Sequence, residues 1–66
     1  MEVTQVAKVA CESSACPTIF ATDRGTVLVQ GYGVPDVKLD VPEGEYVVEI
    51  PRSLFMAGAA GLQPHG

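Results

Sequence analysis

Cys11 and Cys16 are the residues best equipped for chemistry in this chain, and only Glu12-Ser13-Ser14-Ala15 separates them. In a cytosolic setting both thiols stay reduced, and buried structural thiols are the expected state. A disulfide, closing the Ser-containing loop between them, is one alternative. Zinc is another. It takes four ligands, and the chain offers Cys11, Cys16 and the penultimate His65, with no second cysteine pair. Two chains pooling their thiolates would complete such a set. Redox cycling has less support, because active dithiols use Cys-x-x-Cys spacing.

The other reactive types form no working group. A Cys/His nucleophile pair needs His65 held in place and a third group to orient it, and none is apparent. Gly31-Tyr32-Gly33 is too short for a phosphate loop and no helix follows it. Glu43 and Glu45 flank a turn, where carboxylates are solvated rather than paired for acid–base work. Asp23 and Arg24 stand beside Gly25, and turn chemistry accounts for them; a surface contact is their alternative role. The expectation is a protein that is not an enzyme and needs no cofactor, with zinc at Cys11 and Cys16 as the alternative.

Charge narrows the partners. Eight acidic residues face four basic ones, for a net charge of −4, and Lys8, Arg24, Lys38 and Arg52 are spread without clustering. Nucleic-acid affinity rests on cation–phosphate contacts and shows as a basic stripe, so no direct nucleic-acid binding is expected. An anionic membrane surface is disfavoured for the same reason. A basic protein partner is compatible, since opposite potentials speed encounter. Met1-Glu2 opens onto a polar, interrupted segment that does not read as a secretion signal, and the longest weakly apolar stretch, Leu54–Leu62, is half a membrane span. A cytoplasmic protein is expected.

At 66 residues the chain is a single small domain, 1–66, with 1–2 and 63–66 expected to fray. Ordering it costs on the order of 100 kcal/mol, while a chain this short hides only about 60% of its unfolded surface. With 47% hydrophobic and 18% charged residues it is not disordered, but its stability is expected to be marginal.

The elements follow from periodicity. Val3–Val9 mixes a helical spacing with β-branched residues and is read as a strand. Pro17 opens the next strand, where its missing N–H does least harm. Thr18–Thr22 and Thr26–Gln30 form a hairpin through Asp23-Arg24-Gly25, with Gly25 supplying positive φ. Gly31–Asp36 is a break. In Val37–Val41 and Glu45–Ile50 the apolar residues alternate. An even loop through Pro42-Glu43-Gly44 would put Val41 opposite Tyr46, Leu39 opposite Val48, Val37 opposite Ile50 and Lys38 opposite Glu49. Pro51 suits a helix start. Arg52–Ala60 reads as a helix with Leu54, Phe55, Gly58 and Leu62 on one face, stopped by Gly61. The fold class is mainly β (α+β): a small antiparallel sheet of four to five strands in two hairpins with a short C-terminal helix.

The first hairpin is apolar on both sides. In any register one face of the first strand carries Ile19 and Ala21 and the other Phe20, while Val27 and Val29 lie on one face of the second strand and Leu28 on the other. One short helix covers one face, and burying residues such as Phe20 and Leu28 is worth about 1.5–3 kcal/mol each. A second chain or a second copy is therefore expected on the uncovered side, the N-terminal segment being the alternative cover. The interaction residues expected are Phe20, Asp23, Arg24, Leu28, Leu54 and Phe55.

The order of a Cys-led strand (Cys16-Pro-Thr-Ile-Phe-Ala-Thr-Asp23), a strand after an Asp/Arg turn (Asp23-Arg-Gly-Thr-Val-Leu-Val-Gln-Gly31) and a strand-Pro-helix (Val47-Val-Glu-Ile-Pro-Arg-Ser-Leu-Phe-Met-Ala-Gly58) resembles a group of small actinobacterial proteins of unknown function encoded beside helix-turn-helix regulators. Better-known members carry a tryptophan in the closing helix, where this chain has Phe55. The resemblance covers Cys16–Leu62 and implies a non-enzymatic, antitoxin-like or regulatory partner of a DNA-binding protein. It implies no catalytic residue. A shorter stretch, Glu49-Ile-Pro-Arg52 with a helix ending at Gly61-Leu62, is similar to the swapped-hairpin regulators and antitoxins, whose basic DNA-reading loops have no counterpart here.

Overall fold

The computed structural model describes residues 1–11 and 16–62. Five strands and a helix follow one another: β1 (Val3–Lys8), β2 (Thr18–Thr22), β3 (Val27–Gln30), β4 (Tyr32–Gly33), β5 (Val48–Glu49) and α1 (Arg52–Leu62). β1, β2 and β3 form an antiparallel sheet in that order, and β4 and β5 form a second antiparallel pair. The fold is α+β and mainly β. The expected fraying at 63–66, together with His65, lies outside the described residues.

The β2–β3 hairpin forms where periodicity and turn residues agree. Ile19 pairs with Val29, Phe20 with Leu28 and Ala21 with Val27. Gly25 has φ +76°, the conformation its missing Cβ makes accessible. The Thr22 amide donates to the Thr26 carbonyl at 3.0 Å, and the two threonine hydroxyls bond each other at 2.6 Å. The β-branched residues of Val3–Val9 win over their helical spacing, because β1 pairs alongside β2 and Asp23 N–H donates to Glu2 C=O at 3.1 Å. The register slips between Gln5 and Ala7, so Val6 occupies a bulge. β1 thus extends the sheet at its edge and does not fold over the Phe20 face.

The second hairpin differs from the expectation. Val37–Val41 is not a strand; Tyr32 pairs with Glu49 and Gly33 with Val48. The tight turn is present: Glu45 N–H donates to Pro42 C=O at 3.1 Å, and Gly44 at φ +91° supplies the third turn position. The strands either side of it do not close, because they have nothing to pack on. Leu39 is 63% and Tyr46 91% exposed, and an isolated two-stranded hairpin is marginal in water. The stretch read as a break supplies the partner instead. A Cβ at position 31 would lie 2.6 Å from the Glu49 carbonyl oxygen, so Gly31 lets the chain run against β5.

α1 starts where expected, with the Pro51 carbonyl receiving the N–H groups of Leu54 (3.0 Å) and Phe55 (3.3 Å). It runs past Gly61, which is not a stop. Gly61 is a close approach: a Cβ there would sit 3.2 Å from the Val6 carbonyl oxygen. Gly58 plays the same part against Ile19, whose Cδ1 would be 2.6 Å from an added Cβ. These two glycines let the helix settle onto β1 and β2. The core beneath is small. Among the described residues the buried hydrophobic side chains are Cys16, Ile19 and Leu54, with Thr18 the buried polar one.

Candidate interaction surface

The structure joins Cys11 to Cys16 in a disulfide, with Cα atoms 6.4 Å apart. This replaces the expected pair of reduced thiols; the Ser-containing loop it closes lies outside the described residues. Cys16 is fully buried and its carbonyl accepts from Thr18 Oγ1 at 2.8 Å and Gln30 Nε2 at 2.9 Å. The bond therefore anchors the start of β2 at the point where β3 ends. Closing so short a loop is worth about 2 kcal/mol in the unfolded-chain entropy picture. Reduction is expected to lower the melting temperature by about 8–16 °C, read by thermal circular dichroism with and without reductant; an unchanged melt would show that the bond carries no stability. Among the described residues no three of His, Cys, Asp and Glu come together in a way that could hold a metal. No helix among them is long and apolar enough to cross a membrane.

The expected interaction residues fall into three places. Asp23 and Arg24 are exposed at the β2–β3 turn, with the Arg24 amide donating to Thr22 Oγ1 at 3.1 Å. Phe20 and Leu28 are cross-strand neighbours on the sheet face away from the helix; Phe20 is half-buried and Leu28 is 42% exposed. Leu54 and Phe55 part company: Leu54 is buried under α1, whereas Phe55 stands 63% exposed. Leu54 is thus a core residue and not a surface contact.

Phe55, expected from the sequence as an interaction residue, stands at a groove that the sequence did not disclose. The helix lies mainly over β1 and β2, so β3 projects beyond it. Ile19, Val27, Val29, Phe55, Ala59 and Leu62 line a groove of about 170 Å³ between the helix and β3. Its walls are apolar throughout, and Val27, Val29 and Leu62 are each more than 40% exposed. Alternation gave the faces of β3 correctly, but only the offset of the helix makes one of them a groove.

Apolar side chains are exposed on both faces of β3 and on the flank of α1: Val27, Leu28, Val29, Phe55 and Leu62 are each more than 40% exposed. Comparison of the chain with family models, with curated proteins and with solved structures finds no match.

Proposed function

We propose that this protein is a non-enzymatic interaction module of the cytoplasm that modulates a helix-turn-helix transcription regulator, as an antitoxin-like or regulatory partner. The observation that carries it is the imbalance between a core of three buried hydrophobic side chains among the described residues and the exposed apolar groups Leu28, Val29, Phe55 and Leu62. The regulator as partner comes from the resemblance across Cys16–Leu62. The net charge of −4 suits an acidic module that meets a basic, DNA-reading protein. Affinity capture of the tagged protein from its native host is expected to recover a helix-turn-helix protein. Phe55→Ala and Arg24→Ala are expected to lose that protein while melting like the parent. Failure to recover such a regulator, or recovery unaffected by both variants, would overturn the reading.

A second reading, a small thiol-redox or zinc module using Cys11 and Cys16, has the disulfide in its favour. A reducing cytoplasm would open that bond, and thiol pairs of this kind can report redox state. Counting free thiols and zinc on protein alkylated at the moment of lysis separates the readings. Two free thiols that stay free under mild oxidation, with no zinc, would remove the second.

A further inference from the structure

We propose that two copies of this chain pair through β3, edge to edge and antiparallel about a two-fold axis at Leu28, joining two three-stranded sheets into one. This goes beyond the regulator reading and does not depend on it, since its test uses the purified chain alone.

The two edges of the β1-β2-β3 sheet differ. The β1 edge carries the devices that discourage pairing: the irregularity at Val6, the charge of Lys8 and the polar Thr4 and Gln5. The β3 edge carries none, since Thr26-Val27-Leu28-Val29-Gln30 holds no charge and no proline. All four residues of β3 are exposed, and its apolar side chains emerge on both faces.

The ladder fixes which backbone groups face away from β2. Thr22 and Thr26 are a hydrogen-bonded pair, and such pairs alternate along an antiparallel ladder. Phe20 and Leu28 are then bonded to each other, and the N–H and C=O of Val27 and Val29 point away from β2. Two copies placed antiparallel about Leu28 set Val27 of each against Val29 of the other, and these residues exchange both hydrogen bonds. Leu28 meets the second copy's Leu28 in a non-hydrogen-bonded pair, the geometry with the closest side chains. On the helix side, the valines bring the two apolar grooves together.

The β3 edge suits a second copy: Val27, Leu28 and Val29 are each more than 40% exposed, and an antiparallel strand of the same sequence sets apolar side chains against apolar ones on both faces.

A charge swap at the axis tests this geometry. The parent is expected to sediment as a dimer. Leu28→Lys or Leu28→Glu alone sets like charges opposite each other and weakens dimerisation by roughly a hundredfold. Mixing the two variants sets Lys opposite Glu and restores the dimer. Circular dichroism of each variant checks the fold, and Val3→Lys, on the opposite edge strand, is expected to dimerise like the parent. A monomeric parent at 100-micromolar concentrations, either variant dimerising as the parent does, or folded variants that stay monomeric when mixed would each overturn the proposal.

Discussion

Leu54→Ala is expected to leave the protein largely unfolded at 25 °C. Leu54 is 3% exposed and is one of three buried hydrophobic side chains among the described residues, with Cys16 and Ile19. Removing a buried leucine side chain costs about 2–5 kcal/mol, and a domain of this length holds only about 3–5 kcal/mol in all. Gly58, one turn along the helix, has no side chain to fill the space, and Ile19 is packed against that glycine. Phe55→Ala, one position along the same helix, is the comparison. Phe55 is 63% exposed, and its loss is expected to change folding stability by no more than about 0.5 kcal/mol. Urea titrations followed by circular dichroism measure both; Leu54→Ala unfolding at the same midpoint as Phe55→Ala would show that the core has been misidentified.

Gly31→Ala is expected to separate β4 from β5. The added Cβ would lie 2.6 Å from the Glu49 carbonyl oxygen and 2.7 Å from Ile50 Cγ2. The first of these belongs to the backbone of the strand that β4 pairs with, so relief requires the strands to move apart. Overpacking of this kind costs about 1–3 kcal/mol, and here it falls on a pair only two residues long. Gly33→Ala is the matched comparison, since an added Cβ there meets nothing within 4 Å. Amide exchange across the β4–β5 pair is expected to accelerate in Gly31→Ala, with unaltered protection across β2 and β3. Equal exchange in Gly31→Ala and the parent would contradict the close approach.

What could be read from the residues, and what could not, divides along a physical line. The β2–β3 hairpin was legible because alternation, turn chemistry and Gly25 are local and agree. The fold class and the start of α1 at Arg52 were legible for the same reason. The partner of Val48–Glu49 was not. Alternation in Val37–Val41 says which side chains share a face, but the choice of neighbour depends on a close approach at Gly31 that only the assembled chain reveals. Gly58 and Gly61 belong to the same class: a glycine that ends a helix and a glycine that admits a neighbour look alike in a sequence. For the site, alternation separates Phe20 from Ile19 and Leu28 from Val27 and Val29, but only the observed β2–β3 register sets Phe20 opposite Leu28. Phe55 could not be distinguished from Leu54, because adjacent helical positions differ only in which side of α1 the sheet lies on. The groove beside β3 depends on the lateral offset of the helix, and no residue pattern encodes that offset by itself.

Sedimentation equilibrium of the unmodified protein, from the low micromolar range to hundreds of micromolar, tests most directly whether these apolar faces exist to be covered by another protein molecule. The prediction is a reversible rise from the mass of one chain to that of two as concentration increases. One chain's mass at every concentration, together with a sharp cooperative melt that dilution does not shift, would mean that the lone chain is content with its exposed faces and that they are not a binding surface for a second copy.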